Sequence, residues 1–272
     1  MTIIHYEILL FNSSASNSSF SSTSHSFCLR NEFQARLDST NRMQTKTETV
    51  FLDVDAQKSI FYSEKRMQRD SLFSRMRETR NFNFDRGAMD NYRTAINFSV
   101  EKDYASQKIN FKNRIGGDTY SYTENNPTTW EILPETAKIG NYETQKAKTT
   151  YGGRTWIAWF TTEIPIPDGP YKFFGLPGLI VKVEDTKGDY SFDLKESKKI
   201  AAPASFSYRS APIEVKKKDY QKIEQRFKED PLSFINRSGG PVRIEIDANA
   251  RKRMEERQKE NNTKNNNPIE LD

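Results

Sequence analysis

The stretch YKFFGLPGLIVKVED, residues 171–185, decides the fold, because it joins an aromatic pair and a tight turn to a strand. Leu176-Pro177-Gly178-Leu179 predicts a type II turn, since proline presets φ at the second position and glycine supplies the positive φ required at the third. The apolar run from Leu179 predicts a strand, and TKGD predicts a hairpin into YSFDLKE at 190–196. Gly175, Pro177 and Gly178 are therefore interpreted as structural turn residues.

The segment before this turn is not expected to belong to a sheet. EIPIPDGP (163–170) has three prolines in eight residues, and proline cannot donate to a ladder of hydrogen bonds. We expect the chain to leave the sheet after Ile164, cross as an extended arm and re-enter at Leu179. Phe173, Phe174 and Leu176 would cap the core at that crossing.

Alternating apolar and polar residues predict strands through most of the region from about 92 to 200. Within it, Gly152-Gly153 predicts a hairpin that ends in RTWIAWFTTEI (154–164). TETVFLDVD (47–55) predicts an earlier half-buried strand, and PVRIEID (241–247) a later one. The predicted fold class is β-rich α+β, a curved antiparallel β-sheet meander with a few packed helices.

Three segments predict helices. SEKRMQRDSLFSRMRETR (63–80) has a narrow apolar stripe and begins with Ser63, a residue that can cap a helix. KKKDYQKIEQRFKED (216–230) places Tyr220, Ile223 and Phe227 on one face. DANARKRMEERQKE (247–260) is polar on nearly all sides, which is typical of a solvent-facing helix.

The sequence predicts three parts. Residues 1–29 are expected to be a disordered Ser-rich or misassigned N-terminus, because NSSASNSSFSSTSHS (12–26) is too poor in apolar side chains to pack. Residues 30–247 are expected to form a single domain. Residues 248–272 are expected to form a polar helix and a disordered Asn-rich tail.

Composition excludes several kinds of chemistry. His5, His25 and Cys28 are the only histidines and cysteine, so from Leu29 onward no Ser–His or Cys–His catalytic pair can form. Metal sites built on imidazole or thiolate are excluded there too, and we predict no metal and no cofactor. Cys28 is interpreted as an incidental thiol in a flexible segment.

The net charge and the hydropathy of the sequence restrict the classes of partner that the protein can have. The net charge of +5 is modest and the signs are interspersed, which argues against nucleic acid as a partner. No apolar run reaches the roughly 18 residues of a membrane span. MTIIHYEILLF (1–11) lacks Lys and Arg and carries Glu7, so it does not predict an export signal.

Four aromatic residues near the turn are candidates for lining an apolar ligand pocket: Trp156, Trp159, Phe173 and Phe174. Burial in the core is the more common role for such residues. The sequence alone leaves both interpretations open.

Several motifs resemble the GLPGLI family of Bacteroidetes. Gly175–Ile180 spells the hexapeptide that names the family. Its upstream sequence is similar in RTWIAWF, EIPI, DGP and the Lys172-Phe173 pair, and more loosely in SIFYS (59–63), Trp130-Glu131-Ile132 and Gln145-Lys146-Ala147. The resemblance spans roughly residues 45–200.

The resemblance implies an uncharacterised protein exported to the periplasm or the outer membrane, with no catalytic residues to carry over. We expect the start of the sequence to be wrongly assigned, because the family-like sequence begins only after the Ser-rich stretch. Thr144 stands where members often have Cys, so the resemblance supports no redox or metal role at that position.

Three functions stay open. The first is a non-enzymatic envelope protein that binds an apolar ligand or a protein partner. The second is a carboxylate-dependent hydrolase, for which Glu131, Glu163 and Asp168 are the candidate acids. The third is a structural protein-interaction module that uses an open sheet edge. A crevice lined by the aromatic residues would favour an apolar ligand, whereas a filled core with an exposed edge strand would favour the interaction module.

Overall fold

The computed structural model describes residues 26–81, 87–126, 128–206, 208, 210–235 and 247–272. Its strands are β1 Ser26–Ala35, β2 Lys46–Val54, β3 Lys58–Ser63, β4 Phe98–Asp103, β5 Lys108–Ile115, β6 Asp118–Asn125, β7 Glu131–Ile139, β8 Tyr142–Tyr151, β9 Arg154–Thr161, β10 Leu179–Asp185, β11 Tyr190–Ile200 and β12 Ile213–Glu214. Its helices are α1 Glu64–Thr79, α2 Lys217–Glu229, α3 Leu232–Ile235 and α4 Ala248–Lys264, with a short 3₁₀ helix at Gly87–Tyr92.

The described strands form one sheet in the order β12-β6-β5-β4-β3-β2-β1-β11-β10-β9-β8-β7. The predicted β-rich α+β class is confirmed. Two meanders, β1 to β6 and β7 to β11, are joined side by side where β1 pairs antiparallel with β11. The sheet is mixed rather than wholly antiparallel, because β12 pairs parallel with β6.

The sheet curls strongly on itself. Tyr122 on β6 and Tyr151 on β8 lie near opposite ends of the strand order, yet their hydroxyls are 2.9 and 2.8 Å from the same Lys172 Nζ. The Tyr151 hydroxyl also lies 3.5 Å from Oε1 of Glu124 on β6. The predicted curvature is therefore present, and it creates an enclosed interior face.

Residues 162–178, which we call the arm, cross that interior, and residues 168–174 within the arm are buried. The chain returns to the sheet at Leu179, which pairs with Thr161, so the predicted re-entry is confirmed. It leaves the sheet after Thr161, earlier than the predicted Ile164. Tyr171 and Phe173 on the arm are buried, with rings 5.6 Å from Phe98 and 4.8 Å from Trp156, respectively. Burial of such large aromatics contributes much of the free energy of the core.

The turn within the arm differs from the predicted type II turn. Gly178 does not adopt a positive φ; its amide donates to the Leu176 carbonyl at 2.8 Å, which gives a tighter turn around Pro177. A Cβ on Gly178 would lie 2.1 Å from the carbonyl oxygen of Thr161, so glycine is required there by close backbone approach. The positive φ, 97°, belongs to Gly175.

The helices form where the sequence predicts them. The Ser63 hydroxyl accepts from the Arg66 amide at 3.4 Å at the start of α1, and Met76 is buried while Met67 is exposed. Tyr220 of α2 is buried, and α4 is exposed along nearly its whole length. The predicted strand at 241–247 and the Ser-rich stretch lie almost entirely outside the described residues.

The first strand begins earlier than expected. β1 starts at Ser26 and includes Cys28, which is buried and not part of a flexible segment. Burial, together with the neighbouring Asp53 carboxylate, raises the pKa of the Cys28 thiol to about 12. A thiol held in its neutral form in this way is a poor nucleophile.

Candidate functional site

The four candidate pocket residues do not share one surface. Trp156, Phe173 and Phe174 lie together in the core, each no more than 1% exposed. Trp159 lies three residues along β9 from Trp156 and is half-buried on the opposite face of the sheet, as strand geometry requires. Two surface grooves, one along α2 and one beside α1, are lined by residues other than these four.

The three candidate acids do not form a pair. Glu131 is exposed on β7, and the exposed Glu163 accepts from the Glu143 amide at 3.0 Å. Asp168 is fully buried, paired with Lys102 and bonded to the Tyr104 hydroxyl at 2.6 Å. Burial lowers the pKa of Lys102 despite this partner. Asp168 therefore neutralises a buried cation and anchors the arm.

A different site lies at the end of the curled sheet, where the β8–β9 turn meets α2. We define the tail segment as residues 265–272 and the tail groove as Tyr151, Gly152, Arg154, Lys172 and Lys217, which contact it. The Asn-rich composition of this segment predicts disorder. The structure corrects that expectation, because the segment lies extended in the groove with specific contacts.

Glu270 is the charged anchor of the tail segment. Its Oε1 lies 2.6 Å from Lys172 Nζ and accepts from the hydroxyls of Tyr151, at 2.7 Å, and Tyr171. Its Oε2 lies 2.9 Å from Lys217 Nζ. Burial alone would raise the pKa of Glu270, but the two ammonium groups outweigh it and lower the pKa to about 2. The carboxylate is thus held charged by its own groove.

Arg154 binds the tail segment through one edge of its guanidinium group. Nη2 donates to Asn267 Oδ1 at 2.6 Å and to the Pro268 carbonyl at 2.7 Å, and Nε donates to the Ile269 carbonyl at 3.1 Å. Its Nη1 is held by the carboxylates of Asp185 and Asp189 at 2.9 and 3.3 Å. These two acids fix the orientation of the guanidinium fork, which otherwise rotates freely on its stem.

Asn267 is the second anchor and is 7% exposed. Its amide donates to the Leu37 carbonyl at 3.0 Å, and its Nδ2 donates to the Arg36 carbonyl at 2.7 Å. The Tyr190 hydroxyl donates to its carbonyl at 2.5 Å. Donors and acceptors of this one asparagine are therefore satisfied by three different elements of the fold.

The predicted Gly152-Gly153 hairpin is confirmed, and it also forms the floor of the tail groove. Both residues have positive φ, 60° and 68°. A Cβ on Gly152 would lie 2.9 Å from Cγ of Glu270, and a Cβ on Gly153 would lie 3.0 Å from Cβ of Leu271. The Leu271 amide donates to the Gly152 carbonyl at 2.8 Å. The glycine pair therefore serves both the turn and the close passage of a second chain segment.

Strand β7 is a second exposed feature. Among the described strands it pairs with β8 alone, and most of its side chains are exposed. Its register with β8 shifts between Ile132 and Thr136, and Pro134 lies within the shift. Such irregularities protect sheet edges from pairing with other chains. The regular portion, Thr136–Ile139, is the part of this edge that has the geometry to add a strand.

Comparison with known families gives one match. A family model described as "Protein of unknown function (Porph_ging)" matches residues 148–182, which run from the end of β8 through the arm into β10. The chain is therefore similar over this segment to an uncharacterised family. The GLPGLI name stays a resemblance. The comparison with curated proteins gives no match.

Two solved structures are similar in fold. They are described as structures of PNGF-II in the P21 and C2 space groups, with TM-scores of 0.54 and 0.53 and identities of 14% and 13%. Each similarity covers 75% of this chain but 34% and 33% of the other, so this chain spans about a third of their length. Identities this low show the fold alone.

None of the described helices combines the length and apolar character needed to cross a membrane. Within the same residues, no group of three or more His, Cys, Asp or Glu side chains is arranged to hold a metal ion.

Proposed function

We propose that the protein is a non-enzymatic protein-interaction module of the cell envelope. The observation that carries the proposal is the filled interior of the curled sheet. Tyr171, Lys172 and Phe173 of the arm are each no more than 1% exposed and occupy the space in which a carrier would hold an apolar ligand. A partner would therefore bind at the surface of the protein.

Two further observations support an interaction role. The outer edge of β7 is exposed among the described strands, and the tail groove already accommodates an extended peptide segment. The envelope location rests on the resemblance of the arm and its flanking strands to the GLPGLI family. The fixed, charge-neutralising role of Asp168 and the exposure of Glu163 speak against a carboxylate enzyme.

Site-specific photo-crosslinking in the native cells tests the proposal. A photoreactive side chain is placed at Lys138 on the β7 edge, at Gln221 beside the tail groove, and at the exposed Lys58 at the start of β3 as a control. We expect an adduct of one defined mass at Lys138 or Gln221 and none at Lys58. Equal labelling at all three positions, or none at any, contradicts the proposal.

Native mass spectrometry of the purified protein supplies the complementary result. We expect the mass of the polypeptide without a bound lipid-like molecule, because Trp156, Phe173 and Phe174 are each no more than 1% exposed and the rings of Trp156 and Phe173 lie 4.8 Å apart. A retained apolar ligand that is lost on substitution of Phe173 would overturn the interaction module in favour of a carrier.

A further inference from the structure

We propose that the tail groove is a receptor for an extended acidic peptide, and that the tail segment is its resident occupant. The inference rests on the proposed function and names the chemistry of the partner. The ligand presents an asparagine and, three residues later, a glutamate. Its main chain between them is bound by an arginine fork.

The first argument is that the groove recognises features of the tail segment rather than covering it nonspecifically. Lys172 is fully buried and aimed at Glu270, and Arg154, 4% exposed, donates to two main-chain carbonyls and one side chain. Main-chain contacts combined with side-chain anchors at fixed spacing are the usual means of peptide recognition.

The second argument is that the tail segment is joined to the rest of the chain through an exposed helix. Helix α4, which leads into it, is exposed along nearly its whole length, and among the described contacts it meets the core domain through Asn262 Nδ2 and the Lys228 carbonyl at 2.7 Å. The occupant is thus tethered by a solvent-facing helix. A tethered ligand competes through its high effective concentration, and a partner that presents the same chemistry in trans competes for the same groups.

The third argument is electrostatic. With Glu270 withdrawn, Lys172 and Lys217 would face the groove together with the Tyr151 and Tyr171 hydroxyls, and Glu124 would be the remaining carboxylate on both lysines. Two cations against one anion give the empty groove a net attraction for a carboxylate. Hydrogen bonds to charged groups favour the correct ligand by about tenfold or more.

The test uses the full chain with its resident occupant weakened by Asn267→Ala and Glu270→Gln. A fluorescent peptide of residues 265–272, NNNPIELD, is titrated into this variant after its folded state is verified by thermal melting. We expect saturable binding, at least about tenfold tighter than to the wild-type chain, whose own tail segment competes. A peptide with Gln in place of the glutamate should bind about tenfold more weakly, and a scrambled peptide should not saturate.

A second variant keeps the test decisive if the substitutions disturb folding. A protease recognition sequence is introduced into the exposed centre of α4, and the folded protein is cleaved there. We expect the tail fragment to exchange with the labelled peptide. Retention without exchange, no binding by the folded variant, or equal binding of scrambled peptide overturns the proposal.

The outcomes separate this inference from the proposed function. If photo-crosslinks form at Lys138 but the peptide does not bind, the protein is still an interaction module that uses its sheet edge. Only the proposal that the tail groove is a peptide receptor then fails. A co-purifying apolar ligand removes the proposed function whatever the peptide does.

Discussion

The arm and the tail segment both lie against the curled sheet, but different forces hold them. The arm is tied at both ends to neighbouring strands and is held mainly by buried rings, with Phe173 against Trp156. The tail segment follows the exposed helix α4 and is held largely by charged and polar contacts through Asn267 and Glu270. Burial of its apolar rings fixes the arm in the core. If the tail segment leaves its groove, the hydrogen-bonding and charged groups of the groove become available to another ligand.

The largest expected effect comes from the arm's aromatic contact. Trp156→Ala should lower the free energy of unfolding by about 4 kcal/mol, because it leaves a cavity beside Phe173. Trp159→Ala, on the other face of the same strand, should cost about 1 kcal/mol, since Trp159 is only half-buried. Urea denaturation measures both. Similar losses for the two variants would mean that they line one surface, as the pocket hypothesis requires.

The arm's return to the sheet gives the next effect. Gly178→Ala should cost about 3 kcal/mol, because the added methyl would meet the Thr161 carbonyl and force the backbone apart. Gly140→Ala is the matched control: Gly140 has φ 58° and no atom within 4 Å of a Cβ, so its cost should be about 1 kcal/mol of backbone strain. Equal shifts in Tm would show that strain, not close approach, selects glycine at 178.

The tail groove should respond to loss of its central cation. Lys172→Met should cost about 2 kcal/mol, less than for a wholly buried pair, because its partners Glu124 and Glu270 retain 15% exposure. Lys146→Met, which removes a surface pair with Glu135 at 3.5 Å, should change stability by no more than about 0.5 kcal/mol. Equal denaturation midpoints for the two variants would show that the ion pairs of Lys172 do not stabilise the fold.

The remaining expected effect is a pH dependence that arises from the tail segment. The pKa of Glu270 is lowered from 4.5 to about 2 in the folded protein, so its carboxylate contributes stability above pH 4.5 and loses that contribution as the pH falls toward 2. The wild-type chain should therefore exceed Glu270→Gln in stability at neutral pH, and the gap should narrow below pH 4.5. A gap that is constant from pH 7 to pH 3 would contradict the assigned ion pairs.

The sequence predicts the position of the arm well. Three prolines, two glycines and the aromatic pair are local signals, and they suffice to place the arm and the strand that begins at Leu179. The turn type was wrong because a local rule for Pro-Gly cannot register the Thr161 carbonyl, which approaches Gly178 from the preceding strand.

The tail groove and its contacts with the tail segment could not be predicted from local sequence. Arg154, Lys172, Lys217 and Glu270 are far apart along the chain, and each by itself looks like an ordinary exposed charge. Only the curl of the sheet brings β6, β8, the arm and the chain end together. The Asn-rich composition of residues 265–267 is typical of disorder, and the contacts that order Asn267 come from residues 36–37, 154 and 190.

Hydrogen–deuterium exchange of the full chain, resolved at the C-terminal residues, tests the central claim most directly. The claim is that the tail segment is a specifically bound extended ligand. The Asn267 and Leu271 amides, which donate to the Leu37 and Gly152 carbonyls, should exchange much more slowly than in an unstructured peptide, and Glu270→Gln should speed both. Exchange at the unstructured rate in the wild-type chain would contradict the account.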